Sequence, residues 1–143
     1  MVSKTCEYAI RALLYIAQQS KKNRKVGVKQ IALAIDSPEP FIAKILQELR
    51  QKGLVLSGKG PTGGFYLEEN NMKKSIADVI YAIDGDKLFT GCGLGLSSCQ
   101  AKKPCPIHDN YVTVRKQIKE MMQTAIIGDY HNSLDLGEQF LKR

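Results

Sequence analysis

Four side chains that can bind a soft metal lie close together in this 143-residue chain. Cys92, Cys99 and Cys105 are separated by six and five residues, and His108 follows the last cysteine after two more. Thiolate and imidazole are the ligands of protein zinc sites and iron–sulfur clusters. Zinc sites usually contain a close Cys-x2-Cys pair, which this chain lacks. The residues therefore favour an iron–sulfur cluster, with zinc or reduced or redox-paired thiols as the alternatives.

The segment that carries these ligands is rich in residues that interrupt regular structure. Residues 88–105 show no helical periodicity and contain Gly91, Gly93, Gly95 and Pro104. A loop of about 18 residues is uncommon in a small domain and is usually functional. We therefore expect an irregular loop, without helix, that folds around a metal centre.

The excess positive charge lies in the first half of the chain. Residues 1–74 carry 13 Lys and Arg against six Asp and Glu, whereas residues 75–143 carry eight of each. A basic module joined to a neutral one is typical of a protein that binds a polyanion through one part and does something else with the other. The sequence predicts two functional regions, 1–74 and 75–143.

The composition and the N-terminal residues bear on where the protein works. It is 43% hydrophobic and 24% charged, as in ordinary globular proteins. It has no run of about 18 apolar residues that would predict a transmembrane helix. Glu7 and Arg11 interrupt the apolar stretch of a signal-peptide pattern. We expect a cytoplasmic protein that does not bind a membrane.

The first region contains the elements of a winged helix-turn-helix. Helices are predicted at 2–20, at 28–35 and from Pro38 to about Gln51, with Ser37 as the N-cap of the third. The third helix, the recognition helix, is expected to enter the major groove of DNA. Its predicted buried stripe consists of Phe41, Ile42, Ile45, Leu46 and Leu49.

Two short strands, 54–56 and 65–67, are predicted to follow as a β-hairpin. Its tip, 57–64, has no acidic residue and carries Lys59. Glycine backbone N–H groups and a single Lys suit phosphate contact or insertion into the minor groove. The fold class is therefore mainly α with a small β-hairpin wing, and double-stranded DNA is the expected partner.

The second region is predicted to contain a short and a long helix. Ser75 with Asp78 forms a capping-box pattern that starts a helix through Ile83. A long helix starts near Pro106 and is expected to be the dimerisation helix of a homodimer, since its apolar seam follows a heptad spacing. The alternative is packing within its own domain, and residues 128–143 are predicted to be a loosely structured tail. The seam comprises Ile107, Tyr111, Val114, Ile118, Met121 and Ala125.

The chain resembles the winged-helix iron–sulfur regulators of the IscR and NsrR type over nearly its whole length. The resemblance depends on the helix motif at 7–13, on the wing sequence at 53–65 and on the three-cysteine loop before a long helix. It implies a homodimeric bacterial transcription factor whose cluster state controls DNA binding. It also implies that Cys92, Cys99 and Cys105 are the thiolate ligands.

The resemblance leaves the fourth ligand open between two main candidates. His108 stands where IscR-like members have a histidine, and Glu7 stands where NsrR-like members have an acidic ligand from the other subunit. Cys6 is a third candidate with less support from the resemblance, and we interpret it instead as a small buried hydrophobic residue of the first helix. A 2Fe–2S cluster is favoured over a 4Fe–4S cluster.

Two departures from the family pattern affect DNA recognition. Lys59 replaces an Arg at the wing tip, and Ala43 stands where members often carry Glu. Base readout is therefore expected from other side chains of the recognition helix. The predicted DNA-binding residues are Ser37, Glu39, Lys44, Gln47, Ser57, Lys59, Gly60 and Thr62.

Together these features predict a DNA-binding transcriptional regulator, acting as a repressor, whose operator binding depends on a cluster held by residues 92–108. A constitutive or zinc-stabilised DNA-binding regulator is the first alternative. A small redox enzyme is the more distant one, because the chain shows no Ser-His-Asp order, carboxylate pair or phosphate loop. We therefore do not expect an enzyme.

Overall fold

The computed structural model describes all 143 residues and confirms the predicted fold class, mainly α with a two-stranded wing. None of its helices combines the length and apolar character that a membrane span requires. A single 3-10 turn, Ile127–Asp129, lies between the last two helices. The elements are α1 (Lys4–Ser20), α2 (Val28–Ala34), α3 (Glu39–Gln51), β1 (Leu56–Gly58), β2 (Gly64–Tyr66), α4 (Glu69–Met72), α5 (Ile76–Asp84), α6 (Lys87–Thr90), α7 (His108–Thr124) and α8 (His131–Asp135).

Helix α1 lies at the centre of the packing because its apolar residues recur at helical spacing. Ala9, Leu13 and Ile16 are fully buried on the face that packs against α2 and α3. The main core contains 18 buried residues, of which only Val79 and Ile127 lie beyond residue 74. Each fully buried Ile or Leu contributes about 1.5–3 kcal/mol through the removal of apolar surface from water. Residues 1–74 therefore have an extensive core within one chain.

The turn between α2 and α3 differs from the predicted one by a single residue. Pro38, with φ −65° and ψ 127°, is the N-cap of α3, so the prediction that Ser37 caps this helix was wrong. The Ser37 hydroxyl lies 3.5 Å from the carbonyl oxygen of Ala32 in α2. Asp36 has a positive φ of 51°, which short polar residues tolerate better than others. These residues make the tight reversal of a helix-turn-helix.

The wing forms after α3, but its strands are displaced from the predicted positions. β1 and β2 are antiparallel, with Ser57 opposite Phe65 at the centre of the ladder. The first predicted strand started two residues too early and the second ended one residue too late. Leu54 and Val55 are buried in the main core instead of pairing in the ladder. These two residues are therefore apolar because they are buried in the core. The sequence pattern had led to the prediction that they lie in a strand.

Helix α5 begins at the predicted capping box. The Ser75 hydroxyl accepts a hydrogen bond from the backbone N–H of Asp78 (3.2 Å), and the Asp78 carboxylate accepts one from the N–H of Ser75 (2.8 Å). The short helix α6 follows, so the expectation of no helix within 88–105 was wrong for its first residues. From 91 to 107 the backbone contains no helix or strand. We call residues 91–107 the cysteine loop.

The C-terminal residues 128–143 are not the loose tail that the sequence predicted. Helix α8 packs on α1, where the Asp135 carboxylate accepts a hydrogen bond from the Gln18 side chain (2.8 Å). Farther along, the Arg11 guanidinium donates to the carbonyl oxygen of Leu141 (3.2 Å). Helix α1 thus contacts both predicted regions, and the division at residue 74 stays a prediction.

Candidate functional site

The cysteine loop leads directly into α7, whose first residue is His108. The Cys99 sulfur lies 3.4 Å from Nδ1 of His108. The Cys105 side chain lies near enough to Cys92 to lower the pKa of its thiol. Of the four predicted loop ligands, Cys99 and His108 are therefore in direct contact, and Cys105 lies near Cys92. No three Cys, His, Asp or Glu side chains of the chain form one group with metal-binding geometry.

Cys92 has the electrostatic surroundings of a thiolate. Its sulfur accepts a hydrogen bond from the backbone N–H of Leu94 (3.4 Å). This bond, another from the backbone of Leu96 and one from the Cys105 side chain lower the pKa of the Cys92 thiol. N–H donors at a sulfur stabilise its negative charge and are a usual feature of iron–sulfur sites. The donor set of three thiols and one imidazole therefore fits a thiolate-ligated cluster.

The two other candidate ligands lie outside the loop. Cys6 is fully buried beside Ala77 and Phe89. Burial, with smaller contributions from the charges of Asp84 and Glu7, raises the pKa of the Cys6 thiol to about 12. A buried, protonated thiol is a structural residue, as its apolar neighbours indicate. Glu7 is exposed and pairs with Lys4 (3.3 Å).

The exposed face of the recognition helix, α3, carries the predicted DNA-reading side chains. Glu39, Lys44 and Gln47 are exposed, whereas Ser37 in the preceding turn is half-buried. The Gln47 side chain also accepts a long hydrogen bond from Arg50 (3.4 Å). Both Lys44 and Arg50 are free of ion pairs within the chain. Their charge is therefore available to an anionic partner.

Phe41 was assigned wrongly to the buried stripe of this helix. Its side chain is 61% exposed, while Ile42, Ile45 and Leu46 fill the core. It borders a groove of about 410 Å³ between α3 and the start of α1 that also contains Lys44. A large aromatic exposed on the predicted recognition helix is a candidate base-reading residue, which the sequence patterns did not reveal.

The wing tip presents the other predicted contacts. Ser57, Lys59, Gly60 and Thr62 are all exposed. Gly60 has φ +87°, a conformation that costs glycine little and other residues more. The tip is therefore a tight, acid-free turn with one free lysine.

Helix α7 has no buried residue in the single chain. Ile107, Val114 and Met121, which are seven residues apart along its seam, are 40–53% exposed. An apolar row that its own chain leaves uncovered is typical of a surface that meets another protein.

Comparison with known proteins agrees with this geometry. Residues 2–132 match the Rrf2 family, described as iron-dependent transcriptional regulators. An HTH-type transcriptional regulator of Aquifex aeolicus is 35% identical over 132 residues, covering 91% of this chain and 90% of the relative. The regulator IscR of Vibrio cholerae is 29% identical over 122 residues, covering 85% of this chain and 69% of IscR.

Solved structures share the fold at lower identity. IscR from T. potens matches 97% of this chain and 91% of its own, with a TM-score of 0.74 and 22% identity. CymR, described as the global cysteine regulator of B. subtilis, matches 92% of this chain and 96% of its own, with a TM-score of 0.73 and 18% identity. These relatives are regulators and not enzymes. This chain is a helix-turn-helix transcriptional regulator of the Rrf2 family.

Proposed function

We propose that this regulator is a repressor whose operator binding is controlled by an iron–sulfur cluster held in the cysteine loop. One observation carries the proposal. The contact between Cys99 and His108 (3.4 Å), at the junction of the cysteine loop with α7 and in the same loop as Cys92 and Cys105, supports it. DNA as the target implies that the protein acts in the bacterial cytoplasm.

Cys92, Cys99 and Cys105 would hold the cluster, and His108 is the fourth ligand that we favour. The contact between Cys99 and His108 supports this choice over Glu7, which would have to reach across from a second subunit. We favour a 2Fe–2S cluster, with 4Fe–4S as the alternative. When bound, the cluster supplies redox-sensitive iron–sulfur chemistry together with coordinate bonds that order the loop.

Ordering the loop provides a way to control DNA binding. Fixing the backbone of a residue costs on the order of 1 kcal/mol in conformational entropy. The cysteine loop spans residues 91–107 and is attached to α7, so freeing or fixing it changes the restraints on that helix. The two recognition helices of a dimer must lie about 34 Å apart to enter successive major grooves.

We propose a homodimer in which the exposed seam of α7 meets its copy. Ile107, Val114 and Met121 lie at heptad spacing, as two helices in a coiled-coil contact require. The two-fold symmetry of such a dimer fits a palindromic operator.

Each α3 would read bases and each wing would contact the backbone or the minor groove. Base readout falls to Ser37, Glu39, Lys44 and Gln47, and Phe41 can contact a thymine methyl group. The wing contacts come from Ser57, Lys59, Gly60 and Thr62. The free charges of Lys44 and Lys59 supply attraction that does not depend on sequence.

The test is anaerobic reconstitution of the full chain with ferrous iron and sulfide. We expect a brown protein with charge-transfer bands, and Cys92→Ala, Cys99→Ala or Cys105→Ala should each abolish the cluster. His108→Ala should leave a weaker or altered one. Cys6→Ala is the matched control, because Cys6 lies outside the loop and is fully buried among Ala77, Ile80 and Phe89, and it should retain the cluster.

DNA titration then tests control. The duplex is one selected from a random library by the loaded wild type. A triple-cysteine variant that binds this duplex as tightly as the loaded wild type would show that the loop is not a switch. A colourless protein with stoichiometric zinc would instead support a zinc-stabilised constitutive regulator.

A further inference from the structure

Helix α7 holds the start of the cysteine loop through the guanidinium of Arg115. Nη1 of this residue donates to the carbonyl oxygen of Gly91 at 2.6 Å and to that of Thr90 at 3.1 Å. Thr90 is the last residue of α6, where carbonyl groups lack helical partners. One cation therefore satisfies the end of α6 and fixes the residue immediately before Cys92.

The ring of Tyr111 holds the other side of Cys92. A Cβ atom added at Gly93 would lie 2.7 Å from this ring, so the backbone approaches the ring as only glycine can. The Arg115 guanidinium lies 6.0 Å from the centroid of the same ring, at the outer limit of a cation–π contact. Residues 91 and 93 are thus both held by side chains that lie one turn apart on α7.

We propose that Arg115 and Tyr111 act as a clamp that positions Cys92 and couples the cysteine loop to α7. They are positioning residues, since neither belongs to the proposed ligand set. The effect of the clamp on a cluster rests on the proposed function, whereas the clamp itself is a property of the chain alone. Arg suits this role because its planar group presents several donors in fixed directions.

The first test uses the full chain without metal and measures amide hydrogen exchange over residues 88–96 by mass spectrometry. A hydrogen bond from a charged donor is worth about one order of magnitude in a local opening equilibrium. We expect Arg115→Gln to accelerate exchange in this segment about tenfold. Lys116→Gln removes the same charge from an exposed neighbour on α7 and should leave exchange unchanged.

Two further variants separate the clamp from the stability of α7. Gly93→Ala changes the loop and not the helix, and it should accelerate exchange over the same segment because its Cβ cannot lie against Tyr111. Arg115→Lys keeps the charge with a single ammonium donor and should give an intermediate rate. Wild-type exchange rates over 88–96 in both Arg115→Gln and Gly93→Ala would overturn the clamp.

The second test concerns the cluster and uses the reconstituted protein. We expect Arg115→Gln to shift the visible charge-transfer bands and to lose iron to EDTA about tenfold faster than the wild type, while Lys116→Gln does neither. Unchanged bands and iron loss in Arg115→Gln would overturn the effect on the cluster. If the wild type takes up no cluster, the proposed function fails, yet the exchange experiment still decides the clamp.

Discussion

The region that contains α3 and the region that contains α7 and the cysteine loop differ in how much apolar surface each buries within a single chain. The recognition helix α3 buries Ile42, Ile45, Leu46 and Leu49, whereas α7 buries none of its residues. Apart from the main core, the chain has one smaller cluster of four buried residues beneath α5 and α6. The first region is therefore fixed by its own packing, whereas the second leaves its apolar seam partly uncovered and its candidate ligands half-buried.

Under the proposed function, one chain would combine a rigid DNA-reading region with an adjustable sensor segment. A surface that must present side chains to DNA bases gains from a rigid core beneath it. A sensor segment has to change its order, so it needs few buried contacts of its own. The buried face of α3 and the uncovered face of α7 fit these two requirements.

The largest expected effect comes from the core beneath α3. Leu46 is fully buried, so Leu46→Ala should reduce the free energy of unfolding by about 2–5 kcal/mol. Val114 is 49% exposed, and Val114→Ala should cost far less. Urea unfolding at low protein concentration, where subunit contacts contribute least, provides the measurement. Equal losses in the two variants would contradict the distinction between the regions.

The apolar seam of α7 is tested by introducing a charge at Val114. Val114→Asp should leave the fold of one chain intact but place two carboxylates in the proposed dimer contact, at a cost of several kcal/mol. Sedimentation should then show a monomer where the wild type is a dimer. Lys116→Asp, also an exposed position on α7, is the matched control and should remain dimeric. A wild type that is monomeric at micromolar concentration would remove the basis for this prediction.

The DNA-binding region is tested by removing single charges. Lys44→Ala or Lys59→Ala should weaken binding to the selected duplex and make the dependence of log K on log salt shallower by about one unit for each lost phosphate contact. Lys119→Ala on α7 is the comparison and should have the smaller effect. Fluorescence anisotropy at several salt concentrations measures both quantities. A larger effect from Lys119 would show that the proposed DNA surface is wrong.

The sequence predicted those features that depend on local patterns. Helical periodicity located α1, α3 and α7, and the Ser75 capping box located the start of α5. Phe41 was misplaced because it directly precedes a buried row and so lies at the edge of the apolar arc. Whether a residue at that edge is buried depends on the residues of α1 that pack opposite it. The apolar pattern of α3 alone contains no information about those residues.

Features that depend on distant contacts escaped prediction for a related reason. Helix α6 has four residues and α8 has five, too few to show a period. The position of α8 depends on its contacts with α1, more than 100 residues away in sequence. The pairing of Cys99 with His108, and the hold of Arg115 on Gly91, likewise depend on how the loop folds back onto α7.

The smallest expected effect concerns the contact of α8 with α1, which adds C-terminal residues to the first region. Hydrogen bonds from Lys22 and Gln18 lower the pKa of the Asp135 carboxyl below its ordinary value of 3.8. An acid whose pKa is lowered in the folded state stabilises that state above its ordinary pKa. This stabilisation is lost as the pH falls below 3.8 and through the lowered value.

NMR titration of the Asp135 side chain should therefore give a pKa below 3.8, and Lys22→Ala should raise it. Asp135→Asn should remove this part of the acid sensitivity of α8, because an amide does not titrate in this range. Asp129→Asn is the control, since Asp129 is exposed and takes part in no ion pair. The change in the urea midpoint should be small because the Asp135–Lys22 pair is largely solvated. An Asp135 pKa at or above 3.8 would show that this contact does not hold α8 against α1 in solution.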